Sequence, residues 1–161
     1  MSTLIDDLAD NDALMLALGR IVLRSAELGE AIDTVIYRLD SAKGKESRAL
    51  MLGRKLRLAK TTARSALSAD QEFCHHFMSL CDDTVLLIQQ ERNSPIHSTF
   101  LADDVEGNVI KWDTQLGLES IRIDDLNKGA EKIKAKTKRF RQFLHEIQNF
   151  QALGPAGVSR R

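Results

Sequence analysis

The strongest constraint on this chain is a pair of long apolar stripes that step by three and four residues. Leu14, Leu18, Ile21, Val22, Ser25, Leu28, Ile32, Val35 and Leu39 follow one face of a single helix, because residues three and four apart lie above one another at about 3.6 residues per turn. Asn11 or Asp12 supplies a side-chain oxygen for the first unpaired N–H groups. The second stripe, Leu126, Ala130, Ile133, Thr137, Phe140, Leu144 and Ile147, averages about 3.5 residues per step, the spacing of a helix packed lengthwise on another. Between them the pattern predicts a helix over residues 47–67, bent near Gly53, with Leu50, Leu56, Ala59 and Ala63 inward. A third helix opens at Ser68, where Gln71 three residues on completes a capping box, and buries Phe73, Phe77, Leu80, Cys81, Thr84, Leu87 and Ile88.

The interruptions complete the fold class. "DSAKGKES" ends the first helix, since Gly44 and two serines break its periodicity. After Pro95, "HSTFLADDVEGNVIKWD" places β-prone runs on both sides of an Asp, Glu and Gly turn, which reads as a hairpin. "IRIDD" then leads into a last helix capped at Asp124. The expectation is a mainly α fold of about four long helices, with a small β-hairpin inserted before the last. Residues 1–150 form a single domain, and 151–161, without core residues, a mobile tail. No apolar run approaches the roughly 18 residues of a membrane span, and the acidic "MSTLIDDLADND" is unlike a signal peptide, so the chain reads as cytoplasmic.

Net charge is zero, but the charges are segregated. Residues 43–66 carry 8 basic and 1 acidic side chains, and residues 127–161 carry 9 and 2. Such blocks form a phosphate-binding surface if the fold joins them, and otherwise serve as solvated helix faces. Arg54, Lys55 and Arg57 are the candidates for RNA contact.

Chemistry concentrates in "QERNSPIHSTF", residues 90–100. In an unbroken helix Arg92 and His97 would point about 140° apart. Pro95 has no N–H and its ring crowds the carbonyl of Glu91, while Ser94 is pushed from the helical region, so the helix must kink or stop. A kink can turn His97 back toward Arg92. Imidazole moves protons near neutral pH, and a guanidinium donates two hydrogen bonds to phosphate oxygens. RNA brings its own 2′-hydroxyl nucleophile, so these groups suffice in kind for cleavage to a 2′,3′-cyclic phosphate and a 5′-hydroxyl. Asn93 orients either group or holds a carbonyl freed by the proline. The same residues also suit a plain helix end, where Arg and His favour the carbonyls and Asn caps.

"ERNSPIHS" resembles the R-x4-6-H motif of the HEPN superfamily, in which a polar residue follows the Arg and a small one the His. Glu91, Arg92, Asn93, His97 and Ser98 match it. "RSAELGEAIDTVI" and "GRKLRLAK" in the earlier helices are similar to that family's surroundings, over residues 13–150. The resemblance implies a HEPN-like helical bundle that pairs into a homodimer through its motif helices. It further implies a metal-independent endoribonuclease with catalytic Arg92, Asn93 and His97, auxiliary Glu91 and Ser98, RNA as substrate and no cofactor. A toxin or phage-defence role would bring a protein inhibitor or antitoxin as partner. In the branch with a nucleotidyltransferase antitoxin, a Tyr lies two places after the His; here that residue is Thr99. A non-catalytic binding or regulatory module on the same fold is the alternative.

Other chemistry-bearing residues read as structure. Cys74, His75, His76, Cys81, Asp82 and Asp83 lack the one-turn spacing of zinc ligands, so no metal site is expected. Cys74 and Cys81, seven residues apart on one helix, cannot bond to each other there. His145 belongs to a surface, and Trp112 closes the hairpin over the helices.

Overall fold

A computed structural model describes residues 11–113 and 117–153, and the mobile tail expected over 151–161 lies largely outside them. The chain is mainly helical, with one small antiparallel sheet. In order come α1 (Asp12–Leu39), α2 (Ser41–Ser47), α3 (Leu52–Ala66), α4 (Gln71–Ile88), a π-helical turn (Gln89–Asn93), α5 (Ser94–His97), β1 (Thr99–Ala102), β2 (Asn108–Asp113), β3 (Gly117–Arg122) and α6 (Ile123–Leu153). The contacts group residues 11–26 with 86–134 in one compact unit and 27–85 with 135–153 in another.

In the first unit α1 starts where expected: Asn11 Oδ1 accepts from the Leu14 N–H at 2.9 Å. Leu14, Ala17 and Ile21 of α1 are buried, as are Ile88, Val109, Ile123, Leu126, Ala130 and Ile133. Val22 is not: it is 54% exposed, because it sits a hundred degrees from Ile21 and the buried stripe here is one residue wide. The expected hairpin is a three-stranded meander in the order β1-β2-β3. Gly107 turns β1 into β2 with φ +80, and Gly117 opens β3 with φ +85, a left-handed backbone that glycine adopts without penalty. β3 escaped the pattern because Leu118, Glu119 and Ser120 are all exposed, leaving no alternation to read. α6 begins at Ile123, so Asp124 lies inside its first turn with Asp125, where a carboxylate still favours the positive end of the helix dipole.

In the second unit Leu28, Ile32, Val35 and Ile36 of α1, Leu56, Ala59 and Ala63 of α3, and Phe77, Leu80 and Cys81 of α4 are buried. Each buried Leu, Ile, Val or Phe among them contributes about 1.5–3 kcal/mol on leaving water. Phe77 meets Phe140 edge-on at 6.0 Å and Phe143 at 5.3 Å, while Phe73 stacks on Phe143 at 5.2 Å. Phe143 thus takes the core place that the spacing gave to Leu144. The helix expected over 47–67 is broken earlier than Gly53, at residues 48–51. Asp40 caps α2, its Oδ1 accepting from the N–H groups of Ala42 and Lys43. Gly44 is not a breaker but lies inside α2, pressed on α1 where a Cβ would overlap the backbone of Tyr37. Similarly Asp70, not Ser68, caps α4, its Oδ1 accepting from the Phe73 N–H at 2.9 Å.

Both cysteines are free and buried. Burial, helped by the neighbouring Asp82 carboxylate and opposed by Lys60, pushes the Cys81 thiol up to about 12.

Gly44→Ala should lower stability by about 2 kcal/mol or more, since the new methyl meets backbone that cannot move aside. Gly53→Ala, where a Cβ meets nothing within 4 Å, should be neutral or stabilising by up to about 1 kcal/mol. Chemical denaturation of the two variants checks the pair. Iodoacetamide at pH ~8 should label Cys81 only once denaturant exposes it, because the reactive form is the thiolate; rapid labelling of the native chain would contradict its burial. The raised thiol also sets a sign: the folded form holds its proton above the ordinary thiol range and the unfolded chain does not, so this contribution to stability is lost as pH rises past the unfolded value.

Candidate functional site

The segment from Gln89 to His97 lies in the first unit and stays helical through the proline, and the backbone becomes extended only at Ser98, with φ −89 and ψ 152. Ser94, expected to be expelled by the following proline, keeps φ −59 and ψ −54. The strain is absorbed upstream instead. The Ser94 N–H donates to the carbonyl of Gln89, five residues back, and this wider turn separates the proline ring from the carbonyls it would strike in a regular helix. Pro95 is buried in the first turn of α5.

Arg92 and Asn93 both stand in the π turn and are half-buried. The Arg92 Nη1 donates to Asn93 Oδ1 at 2.7 Å, fixing the guanidinium. Among the described residues Arg92 has no carboxylate partner. His97 ends α5 with an exposed imidazole, which among the described residues makes no hydrogen bond. The segment therefore joins Arg92 to Asn93 and leaves His97 next to them in sequence, without a polar contact to either.

The auxiliary residues anchor this segment. Glu91 pairs with Lys132 of α6, and its Oε2 lies where a Cβ on Gly129 would stand 2.7 Å away, so glycine there makes room for the carboxylate. The Ser98 hydroxyl donates to the Ser94 carbonyl at 2.6 Å and closes the short helix. From the sheet, Lys111 Nζ donates to Ser94 Oγ at 3.1 Å and pairs with Glu119 at 3.0 Å. Sequence reasoning passed over Lys111, Lys132 and Gly129. Strand parity was the available signal for the first: Val109 is buried, so Lys111 shares its face and Trp112 takes the other. Trp112, in register with Thr99, is accordingly 47% exposed and does not close the sheet over the helices.

The proposed RNA-contacting residues belong to α3 in the second unit. Arg54 and Arg57 are exposed. Lys55 is corrected from a surface cation to a structural one. It is buried, its ammonium pairs with Asp33 of α1, and Asp33 Oδ1 also accepts from the Ser47 hydroxyl at 2.7 Å. Ser47 is itself fully buried, so the network ties α1, α2 and α3 together. Among the described residues no cluster of His, Cys, Asp and Glu could hold a metal ion, and no helix is long and apolar enough to cross a membrane.

No family model, curated protein or solved structure matches the chain.

Lys55→Met should destabilise the fold by about 3 kcal/mol, because it leaves a carboxylate in a largely buried site with only a hydroxyl. Arg54→Ala and Arg57→Ala should change stability by no more than about 0.5 kcal/mol. Urea titration of the three variants makes the comparison; equal effects would return Lys55 to the surface set.

Proposed function

We propose that this chain is a HEPN-like, metal-independent endoribonuclease of the toxin or phage-defence type. One observation carries the reading: Arg92 keeps an unneutralised guanidinium, held by Asn93 at 2.7 Å, a few residues from the exposed His97. Arg92 retains donors for two oxygens of a phosphate, and its charge meets the negative charge that grows on phosphorus during attack. His97 takes the proton of the 2′-hydroxyl as that oxygen bonds to phosphorus, and the 5′-oxygen leaves with a proton from an acid. A single imidazole serves poorly as base and acid at one phosphate, so the reading includes two copies of the chain sharing a cleft. Glu91 and Ser98 hold the turn that carries both groups. No step calls for a metal ion or an organic cofactor, and a protein inhibitor would act by covering Arg92 and His97.

A second reading, a HEPN-like module that binds without cutting, draws support from the absence of any polar contact between His97 and Arg92. Incubation of the purified chain with RNA separates the two. On the first reading, cleavage persists in EDTA, yields cyclic phosphate ends, and stops when the scissile nucleotide lacks its 2′-hydroxyl. His97→Ala and Arg92→Ala should each slow it about 10²-fold or more, and Arg92→Lys should recover only part, since lysine loses the planar fork. RNA left intact from about pH 5 to about 9, with the substitutions altering only melting temperature, would leave the binding module.

A further inference from the structure

The outer face of α1 carries an apolar stripe that stays exposed among the described residues. Met15 is 58% exposed, Leu16 56%, Val22 54% and Leu23 55%. Gly19 lies midway between them, and Ala26 continues the same face. From residue 13 to residue 26 the stripe itself bears no charge, because Arg20 and Arg24 lie off its axis. Arg20 is turned to Asn127, donating to its Oδ1 at 2.8 Å.

Two features of this face point to what covers it. Gly19 sits in the interior of a 28-residue helix, where glycine costs about 1 kcal/mol relative to alanine, yet a Cβ there would meet nothing within 4 Å. Among the described residues no contact requires the glycine. A bare backbone at the centre of an exposed stripe is what a second helix needs for close approach. The stripe is also symmetric about that point: Met15 and Leu16 stand four and three residues before Gly19, and Val22 and Leu23 three and four after. Met15 and Val22 flank one side of the stripe axis, and Leu16 and Leu23 the other, so two antiparallel copies crossing at Gly19 place Met15 of one beside Val22 of the other, and Leu16 beside Leu23, twice over. A two-fold interface demands this self-complementarity.

The area is sufficient in scale. The four large side chains present on the order of 400 Å² of apolar surface, in the range where a contiguous patch marks an interaction site. Two copies would bury on the order of 800 Å² through these side chains alone. Gly19, Ala26 and the adjoining backbone bring the total toward the roughly 1,200 Å² of a small specific interface.

We infer that α1 is the docking surface for a second copy of this chain, in an antiparallel crossing centred on Gly19. The assignment stands apart from the nuclease reading, because it concerns assembly and not the chemistry at Arg92 and His97. Failure to cut RNA leaves it untouched, and its own failure leaves cleavage to be explained by another dimer.

Sedimentation velocity of the full chain across about 5–200 µM, the range suited to an interface of this area, should show a monomer–dimer equilibrium. Leu16→Asp and Val22→Asp should each weaken it about 10-fold or more, with melting temperature of the monomer unchanged because both positions face outward. Gly19→Cys supplies an independent readout, since the crossing brings the two introduced thiols within the roughly 4.4–6.8 Å Cα separation of a disulfide. Mild oxidation should yield a covalent dimer from Gly19→Cys and none from Arg54→Cys, against a low background from the buried Cys74 and Cys81. A chain that stays monomeric throughout and does not cross-link at position 19 overturns the inference. So does a dimer indifferent to both aspartates. Aspartate variants that lower the melting temperature of a monomeric chain would show that the stripe is covered within a single copy, which also overturns it.

Discussion

A proline within a helix cannot donate to the carbonyl one turn back, and Pro95 makes that deficit the organising constraint of the candidate site. The chain meets it by widening one turn: the Ser94 N–H reaches the Gln89 carbonyl, and helical geometry resumes for one further turn before β1 begins at Thr99. This single adjustment decides where the chemistry sits. It puts Arg92 and Asn93 in the wide turn, where their side chains bond to each other, and leaves His97 at the last helical position. π turns cost hydrogen-bond quality and often mark functional positions. Here the cost has a local cause, the proline, and its neighbours Glu91, Ser94 and Ser98 are each tied down around it.

Much of the helical framework could be read from spacing. Leu14, Ile21, Leu28, Ile32 and Val35 are buried as their periodicity required, and so are Ile133, Phe140 and Ile147. The misreadings share a physical reason: composition does not reveal close approach. Gly44 reads as a breaker until Tyr37 is seen against it, and Lys55 reads as a surface cation until Asp33 and Ser47 close round its ammonium. β3 gave no alternation because it is an edge strand exposed on both faces from Leu118 to Ser120. At the motif, the residue types were legible but the turn was not. The steric rule for the residue before proline was outweighed by a wider helical turn that relieves the clash without expelling Ser94.

The basic residues divide in a way that charge counts cannot show. In the block over residues 43–66, Lys55 and Lys60 are engaged by Asp33 and Asp82, whereas Arg54 and Arg57 are exposed. In the last helix, Lys128, Lys132, Lys134, Lys136 and Arg139 all have acidic partners. Much of the apparent surplus of positive charge is thus structural balance, and the cation left without a carboxylate at the motif is Arg92.

The two lysines that hold the motif segment are set in unlike surroundings. The side chain of Lys111 is 11% exposed, while that of Lys132 is 59% exposed. Ionic strength acts on them unequally, since dissolved salt screens a solvated pair strongly and a sheltered one weakly. Raising it loosens the Glu91 tie to α6 first and leaves Ser94 fastened to the sheet, so the wide turn gains freedom on its upstream side only. The salt-sensitive tie is therefore the one beside Arg92, and the sheltered one lies on the side of the proline.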